Sequence, residues 1–73
     1  MNLEEKLFHG VLEKRNVILT PDQSEKLRYA CKKAILENPG LGYEGLLTAC
    51  NIYLNLILSS PTIDLGPIIQ PKK

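Results

Sequence analysis

The sequence predicts an all-α fold, a small three-helix bundle with an extended proline-rich C-terminal segment packed on it. Three observations carry that expectation. Two segments place apolar residues at helical spacing behind N-capping residues. A third is apolar around most of its circumference. The prolines fall at the edges of these segments or beyond them, where they do not interrupt a helix. An arrangement with a short fourth helix is the alternative.

The first helix is expected to start at Asn2, a good N-cap, with Glu5 three residues later as its capping-box partner. Leu3, Leu7, Phe8 and Val11 then share one face. Lys14 and Arg15 suit the negative end of the helix dipole, and Asn16 suits a left-handed stop. Gly10 lies inside and costs roughly 1 kcal/mol relative to alanine, so this should be the weakest helix. Val17-Ile18-Leu19 is an apolar connector, long enough for a strand of two or three residues at most.

The second helix is the clearest. Thr20 caps it, Pro21 takes the first helical position and Gln23 completes a capping box. Leu27, Ala30, Cys31, Ala34 and Ile35 form a full apolar stripe. The helix must end near Asn38, because Pro39 disfavours helical geometry in the residue before it. Residues 38–42, NPGLG, then read as a turn.

The third helix should run from Tyr43 to about Leu58. Glu44, Thr48, Asn51, Asn55 and Ser59 draw one narrow polar line along it. Leu46, Leu47, Ala49, Cys50, Ile52, Tyr53, Leu54, Leu56, Ile57 and Leu58 cover nearly everything else, which predicts burial on most sides. Residues 1–60 thus form the helical domain and residues 61–73, PTIDLGPIIQPKK, an extended tail. The tail carries Ile63, Leu65, Ile68 and Ile69, more apolar residues than a disordered segment usually has. It is expected either to fold back on the core or to dock on another molecule.

Composition excludes several functions. A chain of 73 residues is one domain at most, and it buries only about 60% of its unfolded surface. Two cysteines, Cys31 and Cys50, are too few for a secreted disulfide scaffold and read as reduced, buried thiols. With His9 they are too few and too scattered for structural zinc, so no metal or cofactor is expected. No signal-type leader is visible. The longest apolar stretch, residues 46–58, falls short of the roughly 20 residues of a membrane span. A soluble cytoplasmic protein is the expectation. Nine basic and eight acidic residues leave a net charge of +1, with no global pull toward nucleic acid.

Catalysis has little to stand on. His9 lies four residues after Glu5 on the first helix, so a Glu–His pair is geometrically available, but no nucleophile can be placed beside it. The more ordinary reading is a surface histidine. Gly40 and Gly42 follow a proline turn rather than a strand, which removes the context of a phosphate loop.

Two features point to binding. On the second helix Lys26, Tyr29 and Lys33 align, with Arg28 and Lys32 beside them: four cations around one tyrosine on the solvent face. Such a face can meet an acidic protein surface or phosphates, although a solvated face partly neutralised by Asp22, Glu25 and Glu37 is the plainer account. The third helix and tail also carry more apolar area than a three-helix monomer can hide, and Tyr53, Ile57, Ile63, Leu65, Ile68 and Ile69 are its candidate contact residues. The tail covers this surface, or two chains pair through it, or a foreign protein takes it. Asn51 and Asn55 then face solvent or set the register of a helical dimer.

The functional expectation is a small non-enzymatic protein that binds and regulates or inhibits a larger host machine, as a phage- or plasmid-encoded protein acting on transcription does. An immunity- or antitoxin-type protein neutralising a toxin is the first alternative. A dimeric nucleic-acid-binding regulator is the second, weakened because the third helix has no basic residue to read a groove. The expected partner is a larger protein or complex, with a homodimer as a further option and no membrane contact.

Overall fold

The computed structural model describes residues 2–60 and 62–70. Three helices make up the fold: α1 (Leu3–Arg15), α2 (Pro21–Glu37) and α3 (Tyr43–Ser59). Among the described residues there is no strand and no fourth helix. The expectations placed on Pro61 and on residues 71–73 lie outside the described residues.

Helix ends follow local chemistry. The Asn2 side chain accepts from the Glu5 N–H at 2.9 Å and starts α1. Asn16 ends it in the left-handed region at φ 52°, its N–H donating to the Leu12 carbonyl at 2.7 Å. At the start of α2 the Gln23 N–H donates to Thr20 Oγ1 at 3.2 Å, and the Thr20 N–H donates to Gln23 Oε1 at 3.0 Å. This reciprocal pair satisfies two otherwise orphaned N–H groups. Asn38 closes α2 twice, with its backbone N–H at 3.1 Å and its side-chain amide at 3.0 Å on the Ala34 carbonyl. The turn that follows is fixed by the Leu41 N–H donating to the Asn38 carbonyl at 3.1 Å.

The connector between α1 and α2 is not a strand. Val17 and Leu19 pack against the core, while Ile18 between them is fully exposed. An extended backbone sends alternate side chains to opposite sides, and only one side here has a core to meet.

All three helices feed one core. Leu7, Phe8 and Val11 come from α1, Leu27, Ala30, Cys31 and Ala34 from α2, and Leu46, Cys50, Leu54 and Ile57 from α3. The largest helix–helix interface is that of α2 with α3. Truncating a fully buried leucine such as Leu27 or Leu54 to alanine would cost about 2–5 kcal/mol.

Two expectations about the helices need correction. Gly10 is not merely a weak point of α1. A Cβ there would lie 2.5 Å from Tyr43 Oη and 3.2 Å from Leu47 Cδ2, so its bare backbone is what admits α3. Nor is α3 buried on most sides: Tyr43, Ile52, Leu56 and Leu58 are exposed. Two flanking helices cover only part of its circumference. Among the described residues, no helix is long and apolar enough to cross a membrane.

Candidate protein-binding surfaces

The cationic face expected on α2 does not exist as one face. Lys33 is buried, with its ammonium 2.7 Å from Glu37 Oε2 and 2.6 Å from the Pro67 carbonyl. Lys26 pairs with Asp22 at 3.1 Å. Arg28 turns toward α1, its guanidinium 4.2 Å above the Phe8 ring and 4.0 Å from Glu5 Oε1. Lys32 stays exposed. The reason is periodicity. Adjacent residues of a helix point to different sides while residues four apart share one, so Arg28 faces α1 while Tyr29 and Lys33 face the C-terminal segment.

The same contacts reset the helix 1 pair. The Glu5 carboxylate faces Arg28, and His9 packs edge-on against Phe8 with ring centroids 5.5 Å apart. Among the described residues no cluster of three or more His, Cys, Asp or Glu side chains is placed to hold a metal ion.

Tyr29, Lys33 and Glu37 lie four residues apart along one line of α2, and all three meet main-chain atoms of the C-terminal segment. Tyr29 Oη donates to the Gly66 carbonyl at 2.6 Å. Lys33 Nζ donates to the Pro67 carbonyl, and the Ile69 N–H donates to Glu37 Oε2 at 2.7 Å. Residues 66–69 therefore run parallel to α2. Ile63 and Leu65 pack against the core, while the Ile69 side chain is 70% exposed. Asp64 prepares the approach, because its Oδ1 accepts from the Gly66 N–H at 2.9 Å while Gly66 takes φ 78°. That left-handed geometry suits glycine.

Electrostatics lock the clasp. The hydrogen bond from Lys33 and then that from the Ile69 N–H hold the Glu37 carboxyl below the ordinary carboxylate range. The hydrogen bond to Glu37 holds the Lys33 ammonium above the ordinary lysine range, against the opposing effect of its burial.

The polar line of α3 is also spoken for. Arg15 Nη1 donates to Asn51 Oδ1 at 2.8 Å and to Asn55 Oδ1. Thr48 Oγ1 donates to the Glu44 carbonyl at 3.2 Å within the helix. Asn51 and Asn55 thus tie α3 to the end of α1, with Asn55 exposed to solvent as expected and Asn51 half-buried. Ile57 is fully buried and belongs to the core, so it offers no contact surface. Tyr53 is half-buried against the core.

Exposed on another line of α3 are Ile52 and Leu56, beyond an Ala49 that packs partly against the core. Gly45, Ala49, Ile52 and Leu56 follow one another at spacings of four, three and four residues. Ile52 is 56% and Leu56 44% exposed, and Leu41 lies over Gly45 at the other end. Spacings of four and three are those at which one helix lays a seam against another. That alternation was the available sequence signal, hidden because α3 is apolar on nearly every side. Glu37 and Gly66 were likewise not singled out as anchors, although the Lys33–Glu37 spacing of four was a local sign.

The chain matches no protein-family profile, no curated protein and no solved structure.

Proposed function

We propose that this chain is a small non-enzymatic binding protein that regulates or inhibits a larger protein machine in the cytoplasm, docking through the Ile52–Leu56 stripe of α3 onto a helix of its partner. The carrying observation is that pair: two large apolar side chains, Ile52 and Leu56, exposed four residues apart on one face of α3. Ile52 and Leu56 supply apolar area for a partner helix to bury. A phage- or plasmid-encoded protein acting on transcription fits this description. A nucleic-acid reading draws less support, since Lys26, Arg28 and Lys33 are engaged within the chain. The same reading takes residues 62–70 as an extended strap packed on the bundle, on the strength of the Tyr29, Lys33 and Glu37 bonds.

The test compares the tagged chain with an Ile52→Lys/Leu56→Lys variant in capture from host lysate, with circular dichroism and light scattering on both purified proteins. One stoichiometric complex taken by the parent chain and lost by the folded variant supports the reading. Equal capture by both removes the stripe from the interface. A parent chain that recovers only itself as a dimer, and a variant that is monomeric, make the stripe a homotypic contact instead.

A further inference from the structure

Tyr29, Lys33 and Glu37 recognise no side chain of residues 66–69. They recognise two carbonyls and one N–H. Two successive carbonyls, of Gly66 and Pro67, are followed by the Ile69 N–H, and the residue at the centre, Pro67, has no N–H to leave unsatisfied. Lys33 is built into the site rather than lying on it, with its side chain only 9% exposed and its charge matched by Glu37. A ligand here needs no charge of its own, since the site is already neutral. The exposed Ile69 side chain shows how little the outermost contact depends on residue identity.

We propose that this face of α2 is a binding site for an extended, uncharged peptide with a central proline, which a partner protein supplies in trans and which the chain's own residues 66–69 occupy in its absence. The inference rests on the packed-strap reading above, and it adds a second contact surface distinct from the α3 stripe. The tethered segment acts as an internal competitor: a short tether holds it at an effective concentration in the millimolar range. A partner peptide therefore meets a site whose open fraction scales its apparent affinity.

Gly66 allows the competitor to be weakened without touching the site. It takes φ 78°, and a Cβ there would meet no atom within 4 Å, so Gly66→Val acts through its own backbone alone. The probe is a fluorescent synthetic peptide with the sequence of residues 65–70 and neutral, blocked ends, titrated by anisotropy against the full chain and its full-length Gly66→Val variant. Saturable binding at least tenfold tighter to the variant is expected, and adding Tyr29→Phe or Lys33→Met to the variant should abolish most of the gain. Tyr29→Phe removes only a hydroxyl and keeps the test open where Lys33→Met fails to fold. Absence of saturable binding, or binding indifferent to both substitutions, overturns the proposal. A Gly66→Val protein that dimerises by exchanging tails while excluding the peptide also overturns it, and gives the site to a second copy. Nuclear Overhauser contacts between the Tyr29 ring and Gly66 in the parent chain separate the two failures. Without them the packed-strap reading falls and takes the inference with it. With them, and with no peptide binding, the inference falls alone.

Discussion

Tyr43 of α3 lies over Gly10 of α1, its hydroxyl 2.5 Å from where a β-carbon at position 10 would lie. The contact decides between two opposing effects. Gly10→Ala gains up to about 1 kcal/mol of helix propensity. Overpacking against Tyr43 and Leu47 costs about 1–3 kcal/mol. The expected result is a net loss of about 1 kcal/mol in urea unfolding. Tyr43→Phe removes the clashing oxygen, so Gly10→Ala made in that background should be neutral or stabilising. Additive effects of the two substitutions would show that the approach is not the controlling contact.

Arg15 anchors the end of α1 to Asn51 and Asn55 of α3. Hydrogen bonds to a charged donor contribute about 1.5–3 kcal/mol when well buried. Arg15 is only half-buried, so Arg15→Met should lose about 1 kcal/mol. Lysine offers a flexible point charge in place of the planar guanidinium, so Arg15→Lys should recover less than half of that loss. Once Arg15 is gone, Asn51→Ala should cost markedly less than it does in the parent chain. Equal costs in both backgrounds would mean the bridge contributes nothing.

These contacts mark where the sequence was legible and where it stopped being so. Thr20, Gln23 and Pro39 act on backbone within four residues of themselves, so the ends of α2 could be read directly. The core stripe Leu27–Ala30–Cys31–Ala34 was legible for a similar reason, because helical periodicity alone fixes a shared face. Lys33 lies outside any such rule. Its burial depends on Glu37 one turn away and on Pro67, which is 34 positions along the chain. A lysine at that place in a helix reads as solvated until the segment that covers it is known. The bond of Asn51 and Asn55 to Arg15 was hidden in the same way, since Arg15 comes from another helix and carried a local explanation as a C-terminal cation.

The Lys33–Glu37 clasp makes strap attachment depend on pH. Glu37 has its carboxyl held below the ordinary range, so its contribution is complete above that range and lost as pH falls through the depressed value. Lys33 is held above its ordinary range, so its contribution is complete below that range and lost as pH rises through the raised value. The clasp is therefore intact between the two, from about pH 5 to about pH 10. Acid should release Ile69 from Glu37 before the helices melt. The Ile69 amide shift followed by heteronuclear NMR should titrate with a midpoint below that of an ordinary glutamate, and Glu37→Gln should remove the transition. A midpoint at the ordinary value would mean that the carboxylate is not engaged.

Cys31 and Cys50 meet across the α2–α3 interface, both fully buried. The hydrogen bond to Cys50 and then burial push the Cys31 thiol well above the ordinary thiol range. Both sulfurs are closed off from solvent, so this pair should be inert while the core is closed. In native buffer an aromatic disulfide reagent should modify both thiols together, at a rate set by opening of the interface rather than by reagent concentration. In concentrated urea both should react at once. Rising urea below the unfolding midpoint should raise the native rate in step with the global unfolding constant, because two residues at the centre of one core have no local route to solvent. A single thiol reacting quickly in native buffer would show instead that α2 and α3 part locally, and would place the weakest interface of the bundle at its centre.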